Sequence, residues 1–399
     1  MRTEGPSPAA RAVLLGMAAA VGLSIGRLGY GLVLPDMRVD LDWNYAKAGW
    51  LGTANAAGYL LGAIISAPVA KRFGLHQAFL FGVVATVFGI AAMGISANYY
   101  WLNAWRIVAG VTGAFCFVLG NAVAAGLAAG LSDPSARARV ISLFYASPGA
   151  GIILSALSVP IVLAIAGQGS WKITWFVLGG ISAVLACMTW LGLRGIKLGQ
   201  ALPHAGEAVF STAPHIPLLL GYCAFGAGYI CYLTFMYAHL RELGAGESAL
   251  VSFWCTIGVA TMISVWLWAR LMERLRRAYA FSLLSVIVTV GASIPLISDR
   301  IELAFVSAAI FGCALFSVPA STTVFVRRNF TADQWPRALG ILTISFGIGQ
   351  IIGPTFAGFA SDAGGTLSYG LAWGCAFLLA GAAAALFQRD PMPAQQHGN

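Results

Sequence analysis

Two arginines, Arg27 and Arg106, sit deep in apolar runs of the chain with no acid beside them. A guanidinium offers paired N–H donors to a carboxylate or phosphate and does not give up its proton, so its chemistry is anion recognition rather than acid–base work. At bilayer depth a charged side chain costs at least ~3 kcal/mol on insertion scales unless it opens onto water or a partner. The fourteen acids all fall toward loops and span ends. Asp36 follows Arg27 by nine residues, ~13 Å along a helix and too far for a direct pair. Two readings of Arg27 stay open: it holds an anionic group, or it bonds carbonyls at a break in its helix. Arg106 shares a helical face with Gly110, Gly113, Phe117 and Asn121, which suits either anion support or helix packing.

Softer candidates follow the helical period. Gly52, Asn55, Tyr59, Gly62 and Ser66 lie on one face of an apolar run, and Phe225, Tyr229 and Tyr232 line another. Tyr30, Asn55, Tyr229 and Gln350 are expected to touch a bound molecule together with the two arginines, because polar groups in lipid-embedded helices turn inward. Stripes of this kind also serve packing. His239 could titrate near neutrality but is expected at an interface, and Tyr99, Tyr100, Trp101 and Trp171 are expected in interfacial belts. The seven cysteines fall in apolar stretches without metal-ligand spacing and read as packing residues. There is no HExxH and no GxxxxGK[ST], so metalloprotease and ATP-driven pump are set aside. No cofactor is expected.

The elements that must position these residues follow from composition. Of 399 residues, 59% are hydrophobic and 9% charged, against roughly a quarter charged in soluble domains. Walking from charge to charge gives twelve apolar segments, at 12–35, 48–70, 75–97, 102–130, 140–165, 172–193, 216–240, 248–269, 278–297, 302–326, 337–360 and 367–388. Each is long enough for a membrane helix of ~20 residues. With the N-terminus inside, sixteen basic residues fall on inner loops and tails and five on outer ones, Arg38, Lys47, Lys172, Arg241 and Arg300. That bias predicts a multi-pass protein of the bacterial inner membrane with both termini cytoplasmic. The net charge of +9 is spread over many short loops, which argues against a nucleic-acid partner. The expected partners are a small-molecule substrate and membrane lipid, with the chain acting as a monomer.

The polar stretch from Arg194 to His215, with Pro203 and Pro214, divides the spans six and six. The expected organisation is a six-helix bundle at 1–195, a cytoplasmic linker at 196–215 and a second bundle at 216–399. The halves echo each other: Ala67–Arg72 aligns with Ala269–Arg274, and Gly110 with Gly312, at the same offset of 202. Duplicated six-helix halves place a site at the membrane midplane in many secondary transporters.

On these residues the chain resembles the major facilitator superfamily over nearly its full length, and GLSIGRLGYGLVLP and GYCAFGAGYICYLTF are similar to its YbfB/YjiJ-type bacterial branch. The superfamily loop motif is matched after the eighth span by Ala269, Leu271, Glu273, Arg274 and Arg277. After the second span it keeps Arg72 and Gly74 but has Lys71 at the acidic position. The fourth-span motif is present as Arg106, Gly110 and Gly113, and the fifth-span antiporter motif in part, as Ser147, Pro148 and Gly151. Pro354 stands opposite Pro148 in the second half. The resemblance implies an all-α membrane fold of twelve helices in two pseudo-symmetric bundles, working by alternating access. Proton-coupled relatives often carry an acid eight residues before the proline that closes the first span; here, before Pro35, that position is Arg27. The expected substrate is therefore a small organic anion. The alternatives are proton-linked efflux of amphiphilic drugs or metabolites and, more remotely, a non-transporting sensor or intramembrane enzyme.

Overall fold

The computed structural model describes residues 6–196, 212–331 and 334–389. Residues 197–211 of the expected linker lie outside these, as do Arg2, Glu4, Lys197, Glu207, Asp333 and Asp390 among the charges placed by sequence. Among the described residues twelve helices are long and apolar enough to cross a membrane: Pro8–Asp40, Tyr45–Phe73, Leu75–Ala92, Tyr99–Ala129, Pro134–Ala166, Trp171–Leu193, Ala213–Glu242, Glu247–Leu267, Tyr279–Ile297, Ile301–Asn329, Arg337–Gly364 and Leu367–Leu386. They are the first to twelfth spans below, and among the described residues there is no strand.

Sequence sets where these helices begin. Ser7, Asn44, Asn98 and Asp133 stand at N-cap positions, and each side chain accepts a backbone N–H of the first turn, satisfying donors that a helix start leaves free. Apolar side chains cover the outer faces; Ile165, Phe88 and Phe359 are largely exposed, as befits a surface solvated by lipid. The tenth span is two helices, Ile301–Leu315 and Ser317–Asn329, joined at Phe316.

Packing repeats between the halves. The first span packs on the fifth and sixth as the seventh packs on the eleventh and twelfth; second on fourth matches eighth on tenth; third on sixth matches ninth on twelfth. The halves meet along the second and eleventh spans, the fifth and eighth, and the Gly29–Asp40 part of the first against the seventh. This pseudo-twofold arrangement puts the middle of the first, second, seventh and eleventh spans around one axis, at the depth of Arg27, Tyr59, Tyr229 and Gln350.

Four sequence expectations change. The first span does not close at Pro35; it continues to Asp40, since proline removes one intrahelical bond but neighbouring helices can hold the freed carbonyl. Asp36 is consequently inside a helix and buried, accepting the backbone N–H of Gly169 and Trp171 at 2.9 Å each and so capping the sixth span. Trp171 is fully buried rather than interfacial, its indole donating to Asp40 at 2.7 Å, and His239 is buried too.

Candidate functional site

The site is built on an irregular stretch of the first span. Ala20–Leu28 forms nine residues of π-helix between two α-helical parts, Pro8–Ala19 and Gly29–Asp40. π-Helix is rare, and its widened turn shifts side chains off the α register. Neighbours hold it in place: Ser24 donates to the carbonyl of Pro148 at 2.6 Å. A Cβ on Gly151 would lie 2.7 Å from the Ser24 side chain and 2.8 Å from the Ala20 carbonyl, so the fifth span can approach only because that residue has none.

Arg106 is consumed by this framework. Its Nη1 donates to Gly26 O at 2.8 Å and its Nε to Leu51 O at 3.1 Å, with the guanidinium 4.7 Å over the Tyr30 ring. Tyr30 donates in turn to Ala48 O at 2.7 Å, and Asn55 donates to Arg106 O at 3.0 Å. Arg106 is 2% exposed and sits toward the end of the bundle away from Pro8, where it ties the first, second and fourth spans together. Tyr30 and Asn55 share that work, although Asn55 Oδ1 has no partner.

Arg27 is different. It is 6% exposed, yet it makes no hydrogen bond or ion pair with any described residue, and its Nη2 is buried without a partner. Its one described contact is with the Tyr59 ring, 4.9 Å from the guanidinium. The Tyr229 hydroxyl also lies within reach of its charge and is hydrogen-bonded to Gln350, whose Oε1 is buried and unpartnered. Tyr229 belongs to a slab of near-parallel rings with Phe225 and Phe346, at centroid distances of 5.3 and 5.5 Å. Tyr232, expected on the same stripe, instead turns to the tenth span, stacking on Phe311 at 4.0 Å. Between Arg27, Gly52, Ile230 and Thr234 lies a cavity of about 10 Å³, room for one water. Toward the Pro8 end, Phe117, Tyr145 and Phe346 are only partly buried.

The motif residues are spread over the ends of the bundle. Arg72 is exposed in the last turn of the second span, and Gly74 follows with φ +91°, a conformation that favours glycine. Glu273 and Arg274 are exposed at the end of the short helix Ala269–Arg274, and Arg277 has φ +52° with its guanidinium donating to Tyr279 at 3.1 Å. Among the described residues Glu273 has no ion-pair partner. Pro354 lies where the eleventh span crosses the second: a Cβ on Gly49 would come within 2.3 Å of its carbonyl.

One cluster was missed by sequence reasoning. At the end away from Pro8, the Asp362 carboxylate accepts Tyr45 N at 2.9 Å and Ala46 N at 2.8 Å, so the second half caps a helix of the first. The Tyr45 hydroxyl bonds Glu242, and Arg38 approaches both Glu242, at 3.6 Å, and the Tyr45 ring, at 4.3 Å. Thr53 donates to Ile351 O at 2.6 Å just below. The charges were visible in the sequence, but not that they face one another across the two halves.

With this geometry in view, the family model described as "Uncharacterised MFS-type transporter YbfB" matches residues 19–386. The chain belongs to that family of major facilitator transporters. It is 23% identical over 355 residues to the inner membrane transport protein YdhP of Escherichia coli O157:H7, covering 86% of this chain and 89% of that one. It is 25% identical over 359 residues to the 3-(3-hydroxy-phenyl)propionate transporter of Escherichia coli strain K12, covering 85% and 81%. The fold of this major facilitator protein is similar to the crystal structure of the nucleoside transporter NupG, with a TM-score of 0.73, 13% identity and coverage of 94% and 98%. It is a multi-pass membrane transporter.

Proposed function

We propose that the chain is a secondary active transporter of the bacterial inner membrane that moves a small organic anion by alternating access, with Arg27 as the group that meets the anion. The supporting observation is the contrast between the two deep arginines. Arg106 donates from Nη1 and Nε to main-chain carbonyls, whereas Arg27 is buried and makes no hydrogen bond with any described residue. An unpaired buried charge is expensive, and removing water and partners from it costs several kcal/mol. A guest anion repays that cost, and the relative named for a hydroxyphenylpropionate supports a carboxylate as that anion.

Tyr59, Tyr229 and Gln350 complete the contact surface, while Arg106, Tyr30 and Asn55 position the π-helical stretch that presents Arg27. The moving bodies are the bundles 1–195 and 216–399, joined through 196–215. The positive-inside bias puts both termini in the cytoplasm, so the cluster at Tyr45, Glu242 and Asp362 closes the periplasmic side and the partly buried rings face the cytoplasm. Coupling then runs by exchange, or by protonation of the substrate itself.

Flux into proteoliposomes tests this. Arg27→Gln should lower organic-anion transport at least ~100-fold, the equivalent of ~2.7 kcal/mol, with Arg27→Lys intermediate. Unaltered flux in Arg27→Gln would remove the anion contact.

A further inference from the structure

We infer that the anion is an aryl monocarboxylate: one negative charge on Arg27, and a flat ring held among the aromatic side chains of both halves. This rests on the assignment of Arg27 as the anion contact and narrows it in two respects.

The first is charge number. Among the described residues the buried charged ones are Arg27, Arg106 and Asp36, with the histidines His215 and His239. Asp36 caps the sixth span, and Arg106 donates from Nη1 and Nε to carbonyls, so Arg27 is the one buried arginine among the described residues that makes no hydrogen bond. A second negative charge on the guest would find only Arg106, which lines the same cavity but already holds two main-chain carbonyls, so burying it there is unfavourable.

The second is shape. The free guanidinium lies on the Tyr59 ring, with Tyr229 within reach of its charge and Phe346 parallel to Tyr229 at an interplanar angle of 12°. From the other side come Phe117 and Phe316, which pack against the cluster of Leu23, Tyr59 and Ala114. Rings thus reach Arg27's surroundings from the second, fourth, seventh, tenth and eleventh spans. Flat surfaces of this kind gain from each well-placed ring beyond simple burial, and a puckered or linear guest of equal size forfeits that gain.

The test is the unfolding temperature of the purified full chain in detergent with benzoate, cyclohexanecarboxylate, hexanoate, benzamide and phthalate, since a ligand that binds only the folded state raises it. The expected result is a shift with benzoate, an affinity at least ~10-fold weaker for cyclohexanecarboxylate and hexanoate, none for benzamide or phthalate, and loss of the benzoate shift in Arg27→Gln. Equal shifts for benzoate and the two non-aromatic acids, all lost in Arg27→Gln, would overturn the aryl assignment and leave the anion contact standing. A phthalate shift at least as large as that of benzoate would overturn the single-charge assignment. Shifts that survive in Arg27→Gln, or no shift with any acid while the variant and parent unfold alike, would overturn both. Tyr59→Leu, with Arg27 kept, should weaken benzoate selectively over hexanoate; parallel weakening of both would count against the ring contact.

Discussion

At the scale of single residues the two deep arginines do opposite things, and their substitutions should separate cleanly. Arg106→Gln removes charge-assisted bonds to two carbonyls in a dry interior, each worth ~1.5–3 kcal/mol, so it should lower the thermal stability of the purified protein and its yield. Arg27→Gln deletes an unpartnered buried charge and should leave the ligand-free protein as stable or more so while abolishing transport, a stability gain at a functional position. A stability loss in Arg27→Gln matching that of Arg106→Gln would show that Arg27 is also structural. Outside the membrane, Asp133 accepts the Ser135 hydroxyl and the N–H groups of Ser135 and Ala136, and these bonds hold its carboxyl below the usual range. A depressed carboxyl stabilises the fold above its unfolded pKa, and the contribution fades as pH falls through the folded value. The melting-temperature gap between the parent chain and Asp133→Ala should therefore be full at neutral pH and close in acid.

At the scale of helices the π-helical stretch is the part to perturb. Deleting one residue within 20–28 should let it relax to α-helix and turn Arg27 by ~100° relative to the preceding helix, away from Tyr59. The expected outcome is unchanged helical circular dichroism with no ligand-induced shift in melting. Gly110→Ala would place a Cβ 2.2 Å from Asn55 O, and such overpacking should cost ~1–3 kcal/mol in a denaturation experiment. The twelve spans were legible because charges punctuate a chain that is otherwise apolar; Gly58, Gly62 and Gly110 lie at close crossings, where a Cβ would come within 2.2 Å of a carbonyl of the neighbouring helix. Arg27 stood out as a charge where none is tolerated idle. The division of labour between Arg27 and Arg106 was not legible, because it depends on which carbonyls the π-helical turn exposes, and no local pattern encodes that. Asp36 was misjudged for a related reason: Pro35 signals a helix end locally, and packing against the sixth span overrides it.

At the scale of the whole molecule the Asp362 carboxylate is the contact most specific to the state described. The first N–H groups of the second span find their acceptor on the other half, so parting the bundles at that end leaves them bare and faces the positive end of the helix with no anion. Asp362→Ala should shift the balance toward a state open at that end by ~10-fold or more, about 1.4 kcal/mol. The measurement is the labelling rate of Thr53→Cys by a membrane-impermeant maleimide, read above the native cysteines, because Thr53 is buried behind this contact. An unchanged rate in Asp362→Ala would mean the contact does not govern opening.

The bare guanidinium of Arg27 has an electrical corollary. A carrier that takes up a monoanion beside Arg27 carries one positive charge fewer when loaded than when empty, so voltage acts more strongly on the return of the vacant form. An interior-negative potential draws that form inward and favours net extrusion of the anion by ~2.3 kcal/mol per 100 mV, whereas one-for-one swapping of monoanions is indifferent to voltage. Imposing potassium diffusion potentials on loaded vesicles would show which of the two regimes the protein occupies.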